Sequence, residues 1–288
     1  MGETRIEWCD KVWNPVTGCT PVSEGCANCY ARRMATRLAG RCGYSEVDPF
    51  RVTFHPDKLN DPLKWKNPCR VFVGSMGDMG HPNVPPIWRA EVARFMRANQ
   101  KHTYMVLTKR PGEWMRVFAP YAWLGVTAEN QARAEERIPT LLSIPAGKHF
   151  VSVEPMLGGI ALSALKIVPP NRPIEETIFV DALRGRVFDS MGLERSCSKL
   201  DWVICGGETG PGARPLHPDD PRNMRDDCQL TQTPFFFKSW GEWSVDGIGR
   251  GEVRNVQGPD ATYRTMYRVG KARAGAMLEG REWREWPG

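Results

Sequence analysis

Six short, nearly continuous runs of apolar, β-branched and aromatic residues set the strongest constraint on the fold. They are residues 70–74 (RVFVG), 103–107 (TYMVL), 123–126 (WLGV), 149–153 (HFVSV), 201–205 (DWVIC) and 234–237 (PFFF). Runs of this kind, without polar alternation, fit strands covered on both faces, as in a parallel sheet. Several of the gaps read as helices. Residues 86–99 carry Ile87, Val92, Phe95 and Met96 near a 3.6-residue period, 129–142 read similarly with Asn130 as a cap, and 30–39 form a helix directly after a cysteine. Strands alternating with helices indicate an α/β chain built of βα units. The expectation is a complete or partial parallel βα barrel; a doubly wound open sheet is the other solution.

Each run is followed by a polar tail: Ser75-Met76-Gly77-Asp78, Thr108-Lys109-Arg110, Thr127-Ala128-Glu129-Asn130, Glu154-Pro155, Gly206-Gly207-Glu208-Thr209-Gly210 and Lys238-Ser239-Trp240. In a βα barrel the C-terminal strand ends open on one mouth, where the active site is built, so these tails favour the barrel. The sequence divides into a barrel domain over 1–240, with an insertion at 169–198, and a C-terminal extension at 241–288 that packs on the barrel as a cap. The insertion begins PPNRP and continues into a hairpin turning near 183–185. The extension is expected to hold a short helix at 271–278 and a Trp-containing closing segment at 280–287.

Lys and Arg total 39 against 33 acids, a net charge of +6 that permits a polyanionic partner without requiring one. The opening segment has no apolar signal core, and no run approaches the ~18 apolar residues of a spanning helix, so a cytoplasmic protein without membrane contact is expected. Nine cysteines are an odd number. In a reducing compartment, clustered cysteines are more often metal ligands or redox groups than disulfides.

Three of them cluster, as Cys19, Cys26 and Cys29 in the pattern C-x6-C-x2-C. A short turn between Cys26 and Cys29 can aim both sulfurs at one point. Gly18 and Gly25 precede two of the ligands and relieve the backbone, and Pro21 stiffens the loop. Thiolates in such a loop suit zinc or an iron–sulfur cluster. A structural zinc site takes four protein ligands, and only Cys9, Cys42 and His55 are candidates for a fourth. A cluster held by three cysteines keeps one iron open to a ligand.

The run GCTPVSEGCANCYARRM, the tails LTKR, TAEN, SVEP and GGETG, the segment FFFKSWG and the closing VGKARAGAMLEGREWREWP together resemble the phage-encoded three-cysteine-motif proteins, over nearly the whole chain. That family is in turn similar to radical S-adenosylmethionine (SAM) enzymes in its early cysteine triplet and βα pattern. The usual spacing there is C-x3-C-x2-C with the Gly-Gly-Glu segment after the second strand; here the first gap is six and Gly206-Gly207-Glu208 comes late. The resemblance implies that Cys19, Cys26 and Cys29 hold a [4Fe–4S] cluster. Its open iron would chelate SAM, and an external electron donor would drive formation of a 5′-deoxyadenosyl radical. It implies cofactor contacts from Tyr30, Asp78, Glu154, Gly206, Gly207 and Glu208, and substrate contacts from Lys109, Arg110, Glu129, Asn130, Lys238 and Trp240. The catalytic residues and the oligomeric state stay open. A phage-type origin suggests a nucleic-acid base or nucleotide as substrate, in the cytoplasm of a bacterial host. Acting on a base in a duplex requires flipping it out.

Two other functions compete. One is a zinc-stabilised nucleic-acid-binding protein without catalysis. The other is a hydrolytic barrel using Asp78, Glu129 and Glu154 as acid–base groups, although no G-x-S-x-G nucleophile motif is present.

Overall fold

A computed structural model describes residues 4, 6–168, 177–247, 251–259 and 261–288. It divides into two compact units, the first formed by 1–126 and 144–148, the second by 127–143 and 149–288.

The first unit carries the parallel strands β1 (Lys11–Trp13), β2 (Arg70–Val73), β3 (Thr103–Thr108) and β4 (Ala122–Thr127), the last extending one residue beyond it. Their registers pair Lys11 with Val71, Arg70 with Thr103 and Tyr104 with Ala122. Helix α1 (Tyr30–Arg37) follows β1 and α2 (Pro86–Ala98) follows β2. Pro86 opens α2, where the missing amide would be unpaired anyway. The helix buries Val92, Ala93 and Met96, while Ile87, one of the expected core positions, is 63% exposed in the first turn. A 3-10 segment, Glu113–Phe118, replaces a helix between β3 and β4.

The second unit carries α3 (Gln131–Leu142), β5 (Lys148–Val153, its first residue counted with the first unit), β6 (Trp202–Cys205), α4 (Asp219–Leu230) and β7 (Phe235–Phe237). Asn130 caps α3, its Oδ1 accepting from Arg133 N at 3.0 Å. β5 pairs with β6 and β6 with β7, all parallel. The seven strands stand in one sheet in their chain order. The apolar runs therefore mark parallel strands, as expected, and β1 adds a strand that its short KVW run did not reveal. This consecutive order is compatible with a partial parallel βα barrel and differs from the reversing order of a doubly wound sheet; among the described residues no pairing joins β1 to β7.

The insertion supplies three strands of a four-stranded antiparallel sheet, whose fourth, Leu165–Ile167, precedes it; Ile178–Asp181 and Arg186–Phe188 join through a turn with Gly185 at φ +70°. The hairpin lies where the sequence placed it; the PPNRP stretch is outside the described residues. In the C-terminal segment, Lys271–Ala274 is helical but the expected helix to 278 stops at Gly275 (φ +69°). Met277–Leu278 pairs instead with Arg281–Glu282. The chain then runs antiparallel along β7, with Phe237 N donating to Trp283 O (2.8 Å) and Glu285 N to Phe235 O (3.2 Å). The outer edge of a fully buried Phe-Phe-Phe strand is thereby covered. Among the described residues, no helix is long and apolar enough to cross a membrane.

Glu129, at the end of β4, is completely buried and pairs with Arg137 of α3, whose Nη1 donates to Glu129 Oε2 (2.9 Å) and to Thr127 O (2.7 Å). Removing one member of such a pair leaves the other charge without its partner. Arg137→Leu is expected to cost about 3–5 kcal/mol, and the double variant Glu129→Leu/Arg137→Leu to recover most of that, as read from urea unfolding.

Candidate functional site

The cysteine loop is positioned by backbone geometry before any side chain acts. Val16–Thr17 pairs antiparallel with Thr53–Phe54. Gly18 then passes between two other backbones: its N donates to Met76 O at 2.9 Å, and a Cβ on it would stand 2.0 Å from Arg51 O. With φ at +90°, the position excludes any side chain on both conformational and steric grounds. Cys19 follows, its N bonded to Phe50 O (3.1 Å). The chain turns through a 3-10 segment, Glu24–Cys26, and Cys29 is the N-cap residue of α1. Gly25 lies inside that segment and is not at positive φ, so only Gly18 plays the part that the sequence assigned to both glycines.

Two strand tails of the same unit converge on this loop. Asp78, beyond β2, is buried, and its carboxylate accepts from Thr108 Oγ1 (2.6 Å), Gly80 N (2.8 Å), Lys109 N (3.2 Å) and Arg110 Nη1 (3.1 Å). Arg110, beyond β3, is thereby oriented. Its Nη1 also donates to Cys19 Sγ at 3.2 Å, and its Nη2 to Thr20 O (2.7 Å) and Thr20 Oγ1 (3.1 Å). His81 completes the group. Its Nδ1 accepts from Asn83 N (3.1 Å), so the ring proton sits on Nε2, which donates to Thr20 Oγ1 at 3.0 Å. Burial, with the Arg110 charge second, holds the His81 pKa below its usual value and favours this neutral form.

The thiols differ electrostatically. Burial and then the Asp78 charge push Cys19 up, against the Arg110 hydrogen bond that pulls it down. At Cys26 burial also acts upward. It is outweighed by backbone hydrogen bonds at Val22 and Ser23, the Lys109 charge and the Ser23 hydroxyl, and the net shift is downward. A cavity of about 400 Å³ opens beside Cys19, and its walls include Arg32, Phe50, Arg51 and His81. The Arg32 guanidinium lies 5.7 Å over the Phe50 ring.

Tyr30 is the first residue of α1 and is 55% exposed. All nine cysteines are free thiols. Among the described residues, no group of three or more His, Cys, Asp or Glu side chains stands close enough to hold a metal ion as oriented. The donor set nonetheless suits a thiophilic centre: three half-buried thiols on one loop, one with its pKa shifted downward and another holding an Arg hydrogen bond.

The remaining expected site residues lie in the second unit. Glu208 accepts from Arg214 through three bonds, from N (2.9 Å), Nε (2.8 Å) and Nη2 (2.6 Å). Glu154 is ion-paired with Lys238. Gly206 N donates to Val153 O (3.1 Å), and a Cβ on Gly207 would stand 2.2 Å from Trp240 O. The double glycine thus lets 239–241 pack against it. Trp240 donates to Met277 O (2.8 Å) and packs edge-on against Phe237, 5.0 Å away. Glu129 and Asn130 serve α3 as described above. Sequence reasoning missed His81, Thr20 and Arg32. The GDMGHPN segment after β2, with a His three residues beyond Asp78, was the available signal for the first.

A family model described as "Protein of unknown function (DUF5131)" matches residues 3–287. The chain belongs to this family. No curated protein and no solved structure matches it. The family description carries no activity, so the chemistry rests on the residues.

Two outcomes follow for this DUF5131 protein. In the metal-free, reduced chain, iodoacetamide is expected to modify Cys26 before Cys19, with the pH midpoint of the Cys26 rate the lower of the two; buried Cys205 and Cys228 stay unmodified until unfolding, as peptide mass spectrometry would read. Gly18→Ala is expected to cost at least ~1–2 kcal/mol from the left-handed backbone alone, with the clash at Arg51 O in addition, measured as a lowered urea midpoint.

Proposed function

We propose that this protein is a radical SAM-type iron–sulfur enzyme acting on a nucleic-acid base or nucleotide. The observation that carries the reading is the Asp78–Arg110–Cys19 link: a buried carboxylate fixes a guanidinium that donates to the first thiol of a three-cysteine loop at the strand ends. In this reading Cys19, Cys26 and Cys29 hold a [4Fe–4S] cluster. When bound with SAM and reduced by an external donor, it supplies the 5′-deoxyadenosyl radical that abstracts hydrogen from a substrate.

The chain's own residues prepare that chemistry. Arg110 stabilises negative charge on the Cys19 sulfur, and Lys109 does the same for Cys26. Asp78 keeps Arg110 in place with its four hydrogen bonds. His81 and Arg110 together fix Thr20, so the loop cannot swing away from the tails. Arg32 and Arg51 outnumber Asp48 in the wall of the adjoining cavity, a net positive lining suited to a phosphate, and Phe50, with Arg32 over one side of its ring, adds an aromatic surface of the kind that takes a base. The net charge of +6 favours the approach of a polyanion.

The hydrolytic alternative loses ground, because Asp78, Glu129 and Glu154 are each in an ion pair with Arg or Lys. Anaerobic purification with iron, sulfide and zinc analysis, and spectra before and after dithionite and SAM, tests the proposal. About four irons and four sulfides per chain, and 5′-deoxyadenosine formed only with SAM and reductant present, are expected. One zinc without iron would replace it with the zinc-braced nucleic-acid-binding protein. Cys26→Ala should lose the metal, Arg110→Ala should retain it poorly, and Cys205→Ala, altered in a fully buried strand, should retain it in full.

A further inference from the structure

A second cavity, of about 520 Å³, lies wholly within the second unit. Its walls are the loop at 158–161, one face of α4 and the turn at 257–259. From α4 come Asp220, Asn223 and Asp227, whose i, i+3, i+7 spacing places them on one helix face. Apolar wall comes from Ile160, Ala161 and Pro259, and none of the described lining residues is basic.

Asp220 determines the chemistry. It is 5% exposed, yet among the described residues no donor reaches its carboxylate and no cation pairs with it. Its Oδ1 faces the cavity wall at Gly159, where a Cβ would stand 3.0 Å away. Its neighbour Asp219 is engaged with Arg222 (2.8 Å), so the helix start satisfies its own charge without Asp220. Burial, with the Asp219 charge second, pushes Asp220 up to about 6. Asp227 is raised too, by burial first, and the cation that acts on it, Arg184, is held by Asp181 at 3.0 Å. At the root of α4, His217 Nδ1 accepts from Asp219 N (3.3 Å), leaving Nε2 buried without a partner among the described residues. Gly258 of the cavity turn lies against that ring, with room for no Cβ.

A buried carboxylate without a partner is costly, and the cost is relieved by a positive charge brought from outside. Seven residues of helix separate Asp220 from Asp227 by about 10 Å along the axis. That is too far for one metal ion, whose oxygen ligands lie at about 2.0–2.6 Å, but within the span of two ends of an extended organic cation. We propose that this cavity binds a small organic cation of the ammonium or guanidinium class, with Asp220 as its buried counter-ion and Asp227 as a second anchor.

Calorimetric titration of the full chain with spermidine, 1,5-diaminopentane and L-arginine tests this, with MgCl2 as the competing probe. Saturable binding of at least one organic cation is expected, weakened roughly ten-fold or more in Asp220→Asn, as for loss of a charge-assisted contact. Asp226→Asn, at an exposed position outside the cavity, should leave it unchanged. Gly159→Ala, which crowds Asp220 without changing charge, should weaken it as well. This second variant carries the test if Asp220→Asn fails to fold. Equal affinity in wild type and both cavity variants, no saturable binding of any organic cation, or displacement by Mg2+ at equal concentration would each overturn the proposal.

Discussion

One buried carboxylate organises the first unit around its cysteine loop. Asp78 takes hydrogen bonds from the backbone of its own tail, from Thr108 at the end of β3, from Lys109 just after it, and from the Arg110 guanidinium. Parallel strands deliver their C-terminal ends side by side, so two neighbouring tails meet without further design. A charge at that junction then converts proximity into fixed geometry. The Cys19 sulfur inherits its electrostatic surroundings from Asp78 through Arg110, at one remove. Charge-assisted hydrogen bonds are suited to this, being shorter and stronger than neutral ones.

The fold was largely legible because parallel strands announce themselves as unbroken apolar runs, and all six runs became sheet strands. β1 was not, since three residues carry too little pattern, and its place depends on pairing with β2. The tail helix was over-extended because KARAGAMLEG has helical composition while Gly275 adopts a conformation that ends a helix. Local propensity cannot weigh the gain from laying 283–285 along β7. For the site, the cysteines and Asp78, Lys109 and Arg110 could be found from motif and strand-end position. The Arg110–Cys19 contact could not, because it spans 91 residues and depends on the register of two strands.

The charged strand tails of the second unit show how the same sequence signal arises from different physics. Glu208 is wrapped by Arg214, Glu154 is matched by Lys238, and Glu129 is sealed with Arg137. Strand ends gather charge because polar groups tolerate the sheet rim, and once gathered, opposite charges pair. The signal that separates a candidate site from a brace is an unmet valence, as at Asp220, a carboxylate with no cation among the described residues.

The strip at 283–285 that covers β7 has a consequence for biosynthesis. These residues leave the ribosome well after the three phenylalanines they protect, with a hairpin and a short helix made in between. During that interval β7 presents an unpaired, strongly apolar edge, the surface on which neighbouring nascent chains associate. How long that edge stays open depends on how quickly 283–285 pairs with it.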